Sequence, residues 1–122
     1  MINIRLIPLY TLLAACQSNN NCIEGDCLNG VGKIKFENDG IDSGQFVNGR
    51  LDGLGLRVHG EGTYEGDRYE GEFKNNKMDV FGEYYHTAQN LSYRGFFKEG
   101  LRHGEGQIVN LDHPKEEIIL VL

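Results

Sequence analysis

The chain has 122 residues, a length that corresponds to one small domain, and a formal net charge of −6. An acidic chain without clustered Lys and Arg is unsuited to phosphate backbones, which excludes nucleic-acid binding as a function class. Its 17 glycines, 6 Phe and 6 Tyr stand against only 2 prolines, and this composition favours turns and strands over helices.

Residues 1–15 have the order of a secretory signal peptide. A single positive charge at Arg5 is followed by an apolar stretch and then by small residues before a cysteine. The apolar stretch is about half of the ~20 residues that cross a bilayer as a helix. The segment therefore predicts export rather than a permanent membrane helix.

The sequence Leu-Ala-Ala-Cys at residues 13–16 resembles the lipobox of bacterial lipoproteins. The resemblance implies cleavage before Cys16 and attachment of diacylglycerol and a fatty acid such as palmitate, so that a covalent lipid holds the protein in the membrane. Gln17, in place of Asp, implies the outer membrane of the bacterial cell envelope, on its periplasmic or surface face. An ordinary cleaved signal peptide that ends before a cysteine is the alternative.

Residues 16–28 are predicted to hold the lipidated cysteine, a polar tether and a small disulfide loop. If Cys16 carries lipid, Cys22 and Cys27 remain as an even pair, and exported thiols at this spacing are expected to form a disulfide. A metal site is disfavoured because two cysteines without a nearby His cannot supply four ligands.

Glycines recur at similar intervals from residue 29 to residue 110, which indicates an internal repeat. Gly44, Gly71 and Gly95 are 27 and 24 residues apart, and two further series follow the same steps. Asn76 takes the turn position of one series, and Asn is the residue besides Gly that best tolerates a left-handed conformation. The repeat glycines are Gly30, Gly32, Gly44, Gly49, Gly53, Gly55, Gly71, Gly82, Gly95, Gly100, Gly104 and Gly106.

Each repeat alternates with the period of two that is typical of strands. Tyr69, Gly71 and Phe73 fall on one face, while the glutamates between them fall on the other. A turn at Asn76 leads to a second strand that contains Gly82. Glycines on the inner face are expected to let aromatic rings of neighbouring hairpins lie across the backbone.

Residues 69–84 and 93–108 resemble the MORN (membrane occupation and recognition nexus) repeat, roughly Tyr-x-Gly-x-Phe-x-x-Gly-x-x-x-Gly-x-Gly. The unit at 93–106 matches each of these positions. The unit at 69–82 departs at Asn76 and Val80, the unit at 42–55 has Asp42 in the Tyr position, and residues 23–36 keep only a second half. The resemblance implies about three full repeats and one half.

By the same resemblance the fold is all-β, a single-layer twisted antiparallel meander of tandem β-hairpins with seven to eight strands. Residues 111–122 end in an apolar run that is expected to pair with or cover the last sheet edge. The segment at residues 60–64 lengthens its unit by four residues, which predicts a longer hairpin or a bulge. Leu56 and Val58 lie out of phase with the other units, and a one-residue bulge is expected to correct this.

Catalytic, cofactor and metal sites are not predicted. Gly60 and Gly62 superficially match a dinucleotide-binding loop, but the sequence after them alternates instead of forming the helix that such a loop requires. The four histidines lack ligand spacing. The carboxylates of residues 61–72 resemble a solvated strand face more than a Ca²⁺ or acid–base site.

The sequence therefore predicts a non-catalytic, lipid-anchored interaction or scaffolding module that binds an unidentified protein partner. Its predicted binding face is aromatic, and the rings are expected to be partly core and partly groove. The alternatives are direct recognition of membrane lipid, which the negative charge disfavours at anionic headgroups, and an accessory subunit of an enzyme. The residues of the predicted binding face are Phe46, Tyr69, Phe73, Tyr93 and Phe97.

Overall fold

The computed structural model describes residues 21–122, which contain nine strands and no helix. No segment of this part of the chain is therefore a helix long and apolar enough to cross a membrane. The signal peptide and Cys16 lie outside the described residues. The strands are β1 (Cys22–Gly25), β2 (Gly30–Lys35), β3 (Ile41–Val47), β4 (Arg50–Val58), β5 (Arg68–Lys74), β6 (Lys77–His86), β7 (Leu91–Lys98), β8 (Leu101–Asn110) and β9 (Glu117–Val121).

The nine strands form one open sheet in which each strand pairs with the next along the chain. Every pair is antiparallel, so the predicted single-layer meander of β-hairpins is confirmed. The strand count exceeds the expected seven to eight. At the carboxyl end, Ile118 and Leu120 of β9 lie opposite Ile108 and Gly106 of β8.

Three tight turns join β3 to β4, β5 to β6 and β7 to β8. Both central residues of each turn have positive φ, which is the type I′ geometry that matches strand twist. The second central residues are Gly49, Asn76 and Gly100, with φ of 77°, 72° and 85°. Asn76 thus adopts the left-handed conformation that its place in the repeat predicts.

The second strand of each of these hairpins carries a bulge after its first residues. Between β5 and β6, Gly71 lies opposite Gly82 but Phe73 lies opposite Met78, so that β6 holds extra residues. The same shift occurs in the other two hairpins. The bulge residue has positive φ in each case, at Gly53 (104°), Val80 (63°) and Gly104 (72°).

The core lies on one face of the sheet, called here the inner face, where aromatic rings cover glycines. A Cβ atom added to Gly82 would lie 2.3 Å from the Tyr69 hydroxyl, and one added to Gly106 would lie 2.3 Å from that of Tyr93. Only a residue without a side chain admits the ring at this distance. A single-layer sheet thereby buries its large side chains without a second layer of structure.

The apparent phase error at Leu56 and Val58 has a different origin from the expected one. The register between β4 and β5 runs without interruption, so no additional bulge corrects the phase, and that expectation was wrong. Arg57 is the inward-facing residue of this segment, and it pairs with Asp42 of β3. An ion pair therefore occupies the place that apolar residues hold in the other hairpins.

Candidate functional site

The five rings predicted to form the binding face are core residues. Phe46, Tyr69, Phe73, Tyr93 and Phe97 expose at most 4% of their surface. Tyr93 and Phe97 nevertheless reach the walls of two shallow depressions on the inner face. The five rings are therefore chiefly core, and the more exposed side chains around them and on the other face of the sheet are the candidates for contact with a partner.

The two tyrosines are held in the core by equivalent hydrogen bonds. The Tyr69 hydroxyl donates to the carbonyl oxygen of Glu72 at 2.8 Å, and the Tyr93 hydroxyl donates to that of Phe96 at 3.0 Å. Burial, followed by the negative charge of Glu72, raises the pKa of Tyr69. Both hydroxyls therefore act as neutral donors that fix the rings over the glycines.

An exposed apolar surface lies on the opposite, outer face of the sheet. The side chains of Phe81 and Phe96 meet edge to face with ring centres 5.2 Å apart, and the Arg94 guanidinium lies 5.8 Å from the Phe81 ring centre. These residues and Ile119 line a shallow depression of about 490 Å³. We call Phe81, Arg94, Phe96 and Ile119 the outer aromatic patch.

The outer aromatic patch arises where the last hairpin departs from the two before it. In those hairpins a polar side chain satisfies a backbone N–H at the bulge: Leu54 N donates to Gln45 Oε1 at 2.9 Å, and Phe81 N to Glu72 Oε2 at 3.2 Å. Phe96 holds the corresponding position in the last hairpin, and a phenyl ring cannot accept such a bond. The sequence indicates this outward-facing ring, because adjacent residues of a strand point to opposite faces and Phe97 faces inward.

A second open region lies on the inner face, beside the long connection between β4 and β5. The extra residues of the repeat form this connection, residues 59–67, in agreement with the predicted longer hairpin. They place His59 and Tyr64 near Tyr84, with the ring centres of His59 and Tyr84 6.2 Å apart. A cleft of about 440 Å³ is lined by these three residues and by His86 and Arg102. We call this the histidine cleft.

Asp67 fixes the position of neighbouring groups at the histidine cleft. Its buried carboxylate accepts hydrogen bonds from the Tyr84 hydroxyl and the Thr87 N–H, each at 2.9 Å, and His86 Nδ1 lies 3.4 Å away. Burial, and then the hydrogen bond to Asp67, raises the pKa of Tyr84. Burial, and then the cation of Arg57, lowers the pKa of His59.

The cleft was not foreseen from the sequence because its residues are far apart in the chain. His59 and His86 show no ligand spacing, and the pairing of β4 with β5 and of β5 with β6 brings them to one region. Within residues 21–122, no three His, Cys, Asp or Glu side chains are grouped closely enough to hold a metal ion. The cleft can contribute aromatic contacts, imidazole hydrogen bonds and the charge of Arg102.

Cys22 and Cys27 are joined by a disulfide with an S–S distance of 2.04 Å. The bond links β1 to the turn that precedes β2, and the Cys27 sulfur lies beneath Gly32. The disulfide lies at the β1 edge of the sheet, which is the edge nearest in sequence to Cys16.

Comparison with known proteins identifies the repeat. The family model of the MORN repeat matches residues 43–63, 69–87 and 93–109. A stretch of 78 residues is 33% identical to Alsin from rat, mouse and human, and it covers 63% of this chain but 5% of each Alsin. The chain thus corresponds to a small part of these relatives.

Proposed function

Because the chain is a MORN-repeat protein, we propose that it is a non-catalytic interaction module of a bacterial envelope, anchored by lipid on Cys16, that binds a protein partner through the outer aromatic patch. The observation that supports the binding surface is the exposure of Phe81 and Phe96, at 38% and 46%, on a sheet whose other large rings are mostly buried. The lipobox supports the anchor.

The composition of the outer aromatic patch favours a protein partner. Phe and Arg are enriched at the centres of protein interfaces, where aromatic rings supply large contact area at low entropic cost. Ile119 is 61% exposed and extends the apolar surface to β9. A contiguous apolar surface of this kind on a small domain is typical of an interaction site.

The charge of the protein disfavours membrane lipid as the main ligand of the repeat. The chain carries 18 acidic against 12 basic residues, and anionic headgroups would be repelled. In this proposal the membrane is contacted through the covalent lipid, and the sheet remains available to protein.

The partner-binding part of the proposal is tested by crosslinking in intact envelopes followed by mass spectrometry. Phe81→Ser with Phe96→Ser should remove crosslinks that the unmodified protein forms, because both rings of the patch are lost. Leu54→Ser is the matched control, since Leu54 is another outer-face apolar residue and is 62% exposed. Loss of the same crosslinks in Leu54→Ser, or their survival in the double variant, would remove the patch from the proposal.

The anchor is tested separately by detergent phase separation of the expressed full chain. The wild-type protein should enter the detergent phase, and the Cys16→Ser variant should enter the aqueous phase. The variant Cys22→Ser with Cys27→Ser is the control, because it loses the disulfide but keeps Cys16. Partition of the wild-type protein into the aqueous phase would overturn the lipid anchor without affecting the outer aromatic patch.

A further inference from the structure

Arg102 occupies a position that is apolar in the other repeats. The residue that lies opposite the Phe of each repeat is Leu51 in the first hairpin, Met78 in the second and Arg102 in the third. Leu51 is fully buried and Met78 packs against the core, whereas Arg102 is exposed on the same inner face. A cation has thus replaced a core residue in one repeat.

The inner face contains a second arginine, and its environment provides the comparison. Arg57 donates from Nε and Nη2 to the two carboxylate oxygens of Asp42, both at 2.8 Å. Within residues 21–122, Arg102 has no carboxylate within 4.0 Å, and its guanidinium lies 5.4 Å from the Tyr93 ring centre. The planar guanidinium of Arg102 therefore keeps its paired donors available for a carboxylate from outside.

The surroundings of Arg102 fit a carboxylate that has an apolar body. Arg102 and His86 form the shared wall between the histidine cleft and an adjoining depression of about 220 Å³. Tyr64 and Leu101 add exposed aromatic and aliphatic surface to the cleft. Volumes of this size and a mostly apolar lining with few polar groups are typical of small-ligand sites.

Asp67, whose carboxylate contacts the cleft residues Tyr84 and His86, does not pair with Arg102. The Asp67 carboxylate is already bonded by the Tyr84 hydroxyl and the Thr87 N–H, and it faces His86. Arg102 therefore supplies the permanent positive charge among the side chains that line the cleft.

We propose that the histidine cleft binds an organic carboxylate with an apolar or aromatic body. Arg102 pairs with the carboxylate, and Tyr64, Tyr84 and Leu101 contact the body. A free carboxylic acid and the carboxyl terminus of a peptide that ends in apolar residues offer this same chemistry. The site is independent of the lipid anchor and of the outer aromatic patch.

The test is an NMR titration of the ¹⁵N-labelled full chain with two pairs of probes. One pair is 4-phenylbutyrate and its neutral amide, and the other is N-acetyl-Leu-Phe and its carboxyl-terminal amide. Saturable shifts of the amides around Tyr84 and Arg102 are expected with the acids, and weaker binding by about tenfold is expected with the amides. Binding of phenylbutyrate alone identifies a small acid as the ligand source, and binding of the peptide acid alone identifies a peptide end.

Two variants and one control decide whether the cleft is responsible. Arg102→Gln should weaken acid binding by about tenfold or more, and Tyr64→Ala should weaken both members of each pair. Arg94→Gln is the matched control, because Arg94 is also exposed and lies over a ring, but on the outer face. Equal affinity for acids and amides, unchanged affinity in Arg102→Gln, or shifts confined to the outer aromatic patch would overturn the proposal.

Discussion

The hairpin β3–β4 and the hairpin β5–β6 share one register but fill their inner face differently. In β5–β6, Tyr69 lies across Gly82 of its own hairpin. In β3–β4, Asp42 stands in the Tyr position, and the equivalent Gly55 is covered by Phe73 from the following hairpin, with 3.1 Å between that ring and a Cβ added to Gly55. A ring thus covers the equivalent glycine in both hairpins, from the same hairpin in one case and from the following hairpin in the other.

The same two hairpins also differ at the bulge. Gly53 in β4 and Val80 in β6 both have positive φ, which glycine adopts freely and a β-branched residue adopts only with strain. Hairpin β3–β4 therefore lacks the Tyr ring but has glycine at its bulge. Hairpin β5–β6 has the Tyr ring but a strained valine at its bulge. Stability measurements can separate these two effects.

The largest effect is expected from Phe73, which serves both hairpins. Phe73→Ala should lower the free energy of unfolding by about 3–5 kcal/mol, because it removes a buried ring that packs on Gly55 and meets Tyr69 edge to face. Urea denaturation measures this change. Phe96→Ala is the control, since it removes an exposed ring and should cost less than about 1 kcal/mol; similar losses in the two variants would contradict the assignment of the core.

The next effect concerns the ion pair that replaces the tyrosine. Asp42→Ala should destabilise the protein by about 2–3 kcal/mol, somewhat less than for a fully buried pair, because Arg57 is 24% exposed. Adding Arg57→Leu should restore part of the loss, since the unpaired cation is then gone. Glu24→Ala breaks an exposed pair with Lys33 and should cost less than about 1 kcal/mol. A double variant that is no more stable than Asp42→Ala would argue against this coupling.

A smaller effect, of opposite sign, is expected at the bulge of β6. Val80→Gly should stabilise the protein by about 1 kcal/mol, because relief of left-handed strain exceeds the added flexibility of the unfolded chain. Gly104→Val makes the reverse change at the same position of the next hairpin and should destabilise it. The midpoints of thermal unfolding of the two variants should therefore move in opposite directions. Destabilisation by Val80→Gly would mean that the Val80 side chain makes contacts that outweigh the strain.

The smallest effect is electrostatic and links the ion pair to the histidine cleft. Burial and the Arg57 cation lower the pKa of His59, so Arg57→Leu should raise it, as measured by NMR titration of the imidazole. Arg94→Leu removes a cation from the outer face and should leave the pKa of His59 unchanged. If both variants move that pKa equally, the specific influence of Arg57 is refuted.

The lowered pKa of His59 also gives the stability of the protein a pH dependence. The unfolded chain takes up this proton at about pH 6.5, before the folded protein does, so stability should fall as pH drops below that value through the folded pKa. His59→Gln should flatten this part of the stability profile. The effect will be modest because the histidine is incompletely buried and solvent screens its charge.

Much of the fold follows from local patterns that a sequence displays directly. Alternation in residues 69–73 assigned Tyr69 and Phe73 to one face, and Asn76 at a glycine position indicated a left-handed turn. The MORN pattern then supplied the order of the hairpins. Arg57 was missed because a single inward-facing charge looks like a phase error until its partner, 15 residues away in sequence, is known.

The sequence by itself determined the strands, the turns and the repeat, because these depend on backbone preferences and on the period of neighbouring residues. Only the tertiary structure decided which aromatic rings are open to a partner. Tyr93 is buried because it lies across Gly106 of the adjacent strand, whereas Phe96 points to the other face of the sheet and is 46% exposed. The histidine cleft likewise exists only because strand pairing joins the inserted residues 59–67 to side chains of β6 and β8, and spacing along the chain does not encode that proximity.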